Sequence, residues 1–198
     1  MKHSSVRELF DYWDERRGRR AAPERGDIEP GDIRGVLADT FILAFDAAAS
    51  HPFRIAGTRV CALFGRELKG DAFVGLWTAE SRPFVRDLLS VVAYETIGVV
   101  AGAQAAGSDG AVLNFELLLL PLYHRGRTDA RVLGALVPTK TPAWLGTSTL
   151  GPLELGTLRY LGAGTAADAV PRVAPALANG RPRRGLTVYD GGRRDSLA

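Results

Sequence analysis

Three apolar runs at residues 99–106, 112–122 and 131–137, parted by two tight-turn phrases, constrain the fold most. The first run ends in Gly107-Ser108-Asp109-Gly110. Its Asp-Gly pair is a hairpin signal, because the favoured two-residue turns need positive φ at their central positions. The second run is the longest and nearly all apolar, interrupted by Asn114 and Glu116. Arg125-Gly126-Arg127 turns the chain into the third run, which Pro138 ends. Three consecutive strands joined this way can only pair antiparallel. Two shorter strands are expected earlier, at about 40–45 and at 53–56, with a turn at 47–52 between them.

Helical periodicity lies outside that block. Residues 5–17 carry Val6, Leu9, Phe10 and Trp13 at i, i+3, i+4 and i+7, a single apolar stripe. Ser5 and Glu8 have capping-box spacing, and Gly18 suits the position after the last turn. A polar connector, 23–31, leads to a helical turn at 32–37. Residues 58–64 form a short helix with Val60, Leu63 and Phe64 inward, and 71–77 another turn. Residues 82–95 predict a longer helix with Pro83 in its first turn and Phe84, Leu88, Val91 and Val92 as its buried face. Helices segregated from an antiparallel sheet make an α+β fold. Residues 153–161 fit one more strand or a helical turn. Residues 163–198, rich in Ala, Gly, Pro and Arg, offer little to bury and are expected to be mobile.

Composition excludes several classes. No apolar run reaches the roughly 18 residues that span a bilayer, and the start of the chain has no signal-peptide pattern, so a cytoplasmic protein without membrane contact is expected. One cysteine, Cys61, cannot build a disulfide framework. The net charge of +3 arises wholly in residues 165–198, six arginines against three aspartates. A nucleic-acid protein concentrates charge on a folded face, so no nucleic-acid partner is expected. Association through the tail is the remaining route to one, and it would fall steeply with salt.

The phrase Phe64-Gly65-Arg66-Glu67-Leu68-Lys69-Gly70, after a strand and a short helix, resembles the middle of a PAS domain. Tyr12-Trp13, Pro23-Glu24-Arg25, Ile28-Glu29-Pro30, Phe53-Arg54-Ile55-Ala56-Gly57-Thr58, Leu120-Pro121-Leu122 and Val188-Tyr189-Asp190-Gly191-Gly192 are similar, in order, to a family of small single-domain bacterial PAS proteins. The resemblance implies a five-stranded antiparallel sheet with helices on one face, preceded by the amphipathic helix. It divides the chain into an N-terminal helix and connector (1–30), a PAS-like core (31–140), an extension (141–163) and a tail (164–198). It further implies a sensory or regulatory module, not an enzyme, working as a homodimer and passing its output to a separate protein.

Within that frame Phe53, Ile55, Trp77, Leu89, Phe115 and Leu117 are candidate lining for a core cavity that takes a small apolar ligand, with Asn114 and Glu116 as candidate polar groups. Asn114 and Glu116 share one strand face. If it faces the cavity they orient a ligand, and if it faces outward they are a surface pair. Leu9, Phe10 and Trp13 are candidate dimer contacts, the alternative being that their helix belongs to its own domain's core. No cofactor is expected. Flavin-binding relatives carry the reactive cysteine after the Glu-Leu-Xaa-Gly phrase, whereas Cys61 precedes it. Haem-binding relatives carry an axial histidine on the long helix, and 82–95 has none; His3, His51 and His124 lie elsewhere, with no zinc spacing. A second functional class stays open: a small α+β cone enzyme, isomerase- or hydrolase-like, with Glu116 as base.

Overall fold

Six strands form one antiparallel sheet in the order β2-β1-β5-β4-β3-β6. The computed structural model describes residues 1–45, 50–107, 110–142 and 148–161. Half of the expected turn at 47–52, the Ser108-Asp109 pair, and the tail with its Val188-to-Gly192 phrase lie outside the described residues. The strands are β1 (Thr40–Ala44), β2 (Phe53–Ala56), β3 (Gly98–Ala106), β4 (Val112–His124), β5 (Arg127–Pro138) and β6 (Glu154–Leu161). The helices are α1 (Ser4–Arg17), α2 (Thr58–Phe64) and α3 (Arg82–Ser90).

Local chemistry explains the boundaries. His3, not Ser5, caps α1: its Nδ1 accepts the Ser5 N–H at 3.2 Å. Gly18 closes the helix at φ +55, donating its N–H to the Asp14 carbonyl at 3.2 Å. Gly65 ends α2 in the left-handed region. The expected single helix over 82–95 is α-helical to Ser90, then a π turn, Val91–Glu95, that ends at left-handed Thr96. Its buried face is Val85, Leu88, Leu89 and Val92, one residue round from the expected set. Arg125 and Gly126 both take positive φ, the signature of a tight hairpin turn between β4 and β5.

Two expectations need correction. Of the two readings left open for 153–161 the strand holds: Glu154–Leu161 pairs antiparallel with β3, which makes the sheet six-stranded and not five-stranded. Leu153, Leu155 and Leu158 then bury into the core, which an edge left at β3 would forfeit. Helices also lie on both faces. α2, α3 and the turn Phe73–Leu76 pack on the inner face. α1 and the connector pack on the outer face, where Val6, Leu9, Trp13, Ile28, Ile33 and Val36 meet Ile42, Leu118, Leu120, Leu122 and Leu133. β4 is therefore buried on both sides from Phe115 to Leu122, which is why that run is nearly all apolar. Pro121 lies beyond the end of the β3 pairing, where its missing N–H leaves no ladder bond unmade.

Candidate functional site

The inner face carries an aromatic cluster. Phe41 on β1, Phe53 on β2, Phe73 and Trp77 pack with ring centroids 5.4–5.8 Å apart, mostly edge to face. Gly134 on β5 makes room for it, since a Cβ there would run into the Phe41 ring. Leu89, Phe115 and Leu117 complete the same core and are essentially inaccessible. Five of the expected cavity residues thus do come together, joined by Phe41 and Phe73, which sequence reasoning omitted. Phe73 was findable as the other aromatic of the Phe73-to-Trp77 phrase.

One polar atom in this core is left over. Trp77 is fully buried, yet its Nε1–H meets no acceptor among the described residues. Its backbone is satisfied, with Trp77 donating to the Val74 carbonyl and Leu153 bridging the neighbouring residues. A buried donor without a partner costs on the order of 1–3 kcal/mol.

Ile55 is not in this core and is 46% exposed. The reason is a β-bulge. Leu43 faces Phe53 while the adjacent Ile42 faces Ile55, so Arg54 is an extra residue on β2. The bulge resets the two-residue alternation and turns Ile55 to the outer face beside Ile42.

Asn114 and Glu116 also lie on the outer face, as alternation with buried Phe115 and Leu117 requires. They border a hollow of about 510 Å³ with Gly102, Gln104, Gly156 and Arg159, between β3, β4, β6 and the start of the chain. The Glu116 carboxylate accepts the Lys2 N–H at 2.8 and 2.9 Å and the His3 N–H at 2.7 Å. It clasps the segment that leads into α1.

Leu9 and Trp13 are fully and almost fully buried against the chain's own sheet, and Trp13 Nε1 donates to the Pro121 carbonyl at 2.9 Å. They are intramolecular cover, not a surface offered to a second copy. Phe10, half-buried, stacks on Trp13 with centroids 6.0 Å apart. The physical reason is proximity: an apolar sheet face is covered first by an apolar helix on a short connector of the same chain.

Cys61 is half-buried on α2, 3.6 Å from Glu67. Burial, and then the nearby Glu67 carboxylate, push its thiol above the ordinary range. A bidentate ion pair fixes the same helix to the turn just before β1: Arg59 Nε and Nη2 reach the two oxygens of buried Asp39 at 2.6 Å each.

A family model described as "PAS domain" matches residues 1–137. No curated protein matches the chain. Solved structures similar to it include the PAS domain of a protein from Colwellia psychrerythraea (14% identity, 56% of this chain and 97% of that one, TM-score 0.41). Others are an RNA-binding Light-Oxygen-Voltage receptor (18%, 55% and 33%, 0.42) and the PAS domain of an HTR-like protein from Haloarcula marismortui (17%, 55% and 89%, 0.34).

Proposed function

Because the chain belongs to the PAS-domain family over residues 1–137, we propose that it is a sensory module whose output is protein contact and whose input is a small, mainly apolar ligand in the inner core. The observation that carries this reading is the fully buried Trp77 N–H, which has no acceptor among the described residues. A ligand with one acceptor atom beside Trp77 would satisfy that donor, and would bind best to a packing of the core that admits it. A ligand shifts conformation only through such a difference.

Binding, not catalysis, is the proposed mode of action. The best candidate for a base, Glu116, is engaged by two backbone N–H groups on the opposite face of the sheet. Self-association remains part of the proposal, but through surfaces other than Leu9 and Trp13, which the chain's own sheet occupies.

Native mass spectrometry of the purified protein, compared with its denatured mass, tests both parts. The expected result is an extra small mass that Trp77→Phe loses while its circular dichroism is unchanged. A bare protein, or a ligand that Trp77→Phe keeps, would remove the core-ligand reading. A strictly monomeric mass at all concentrations would remove self-association.

A further inference from the structure

The outer face has a second hollow, about 460 Å³, between the connector and the β1–β2 corner. Its floor is mainly aliphatic, with Ile28, Ile33, Leu37, Ile42, Ile55 and Leu133 beside the buried Phe41. Two of these, Leu37 and Ile55, are among the few large apolar side chains the described residues expose. Ile55 is there only because of the bulge at Arg54.

Two arginines line this floor and two more stand near it. Arg25 and Arg34 line it. Arg54 is the bulge residue next to Ile55. Arg131 lies two residues before Leu133 on β5, hence on the same face. None has a carboxylate partner among the described residues. Among the described residues, Arg25, Arg34 and Arg131 reach carbonyls, those of Ile28, Gly31 and Ala130. The contrast is with Arg16, Arg20, Arg59 and Arg66, each paired to an aspartate. Burial and the neighbouring Arg54 and Arg25 lower the Arg131 pKa, which places these guanidiniums within each other's field. A guanidinium does not shed its proton to relieve such crowding.

We infer that this hollow is the docking site for an acidic apolar segment of a partner protein, its aliphatic side chains seated on Leu37 and Ile55 and its carboxylates on these arginines. This rests on the protein-contact reading above and locates the contact. Charge complementarity selects the occupant. Residues 165–198 of the chain itself carry six arginines against three aspartates, so the chain's own tail has the wrong sign. Nucleic acid has the right sign, but it is held by stacking on aromatic side chains, and Phe41, the aromatic at this floor, is buried in the core and offers no face to stack on. The charges stand on the connector, the following turn, β2 and β5, a spread that suits a chain with several acids better than one small anion.

The test uses the full chain and a fluorescent peptide of alternating Glu and Leu, read by anisotropy. Saturable binding is expected, weakening as salt is raised, because exposed charge pairs are screened. Arg34→Glu/Arg54→Glu should weaken it roughly tenfold or more, and Ile55→Ser several-fold, since truncating a central anchor costs most. Both changes are at exposed positions, and circular dichroism checks the fold. No binding, equal binding by the variants, or displacement of the peptide by dodecanoate or by single-stranded RNA in preference to itself would overturn the inference. Native mass spectrometry of the same variants reads the core ligand, whose Trp77 donor is buried in the inner core away from Arg34, Arg54 and Ile55. A failed groove with a retained core ligand therefore sinks this inference alone.

Discussion

Single side chains on this sheet divide sharply by face. Phe53 and Ile55 are two residues apart, and plain alternation would pair them. The bulge at Arg54 sends one inward and one outward. Phe53→Ala should therefore cost about 3–5 kcal/mol, as an aromatic lost from a packed core does. Ile55→Ser should stay within about 0.5 kcal/mol, as exposed changes do. Urea unfolding of the two variants checks this, and equal costs would contradict the bulge. Glu116 is expected to act through α1. Glu116→Ala removes charge-assisted acceptors from the Lys2 and His3 N–H groups and should lower stability by about 1–3 kcal/mol. It should also speed amide exchange at the start of α1 more than in the strands. Cys61 should alkylate slowly near neutral pH, because burial and Glu67 hold its thiol above the ordinary range and the thiolate is the nucleophile. The rate should keep climbing as pH passes the usual thiol range, and Glu67→Gln should shift that rise to lower pH. An iodoacetamide pH–rate profile gives the answer.

At the scale of elements, α1 is a lid over the chain's own sheet. Trp13→Ala should then act as a core truncation, lowering stability by about 3–5 kcal/mol and freeing the Pro121 carbonyl, with α1 the first element to lose exchange protection. Denaturant unfolding with site-resolved exchange measures it. A sedimentation mass that falls while unfolding stability stays the same would restore the dimer-contact role first expected. Periodicity made α1 legible, but not its destination, because an apolar stripe records that a helix is covered and not by what. A signal was available in β4: residues 117–122 are apolar at both parities, and a strand that is apolar on both faces needs cover on both. Gly134 belongs at this scale too. Gly134→Ala would displace the Phe41 ring from the aromatic cluster and should cost about 1–3 kcal/mol, the usual range for overpacking. No propensity argument would single out that glycine.

The whole molecule is larger than the segment the family model matches, which ends at residue 137. β6 lies beyond it and closes the β3 edge while burying Leu153, Leu155 and Leu158. A chain stopped at residue 147 should lose roughly 5 kcal/mol, from about 1.5–3 kcal/mol per buried leucine, and should associate through the bared edge. Thermal melts and light scattering decide it. The sequence by itself determined the α+β class, the strands of the 99–137 block, α1 and α2, since these rest on periodicity and turn chemistry within short windows. Only the tertiary structure decided which face each side chain occupies, where α1 docks, and that Arg25 and Arg34 line one hollow with Arg54 and Arg131 near it. Those outcomes depend on a one-residue bulge and on contacts between residues up to about a hundred positions apart, as Trp13 with Pro121 shows. Local pattern carries no record of either, because register and docking are settled by the total apolar area covered and not by any single window.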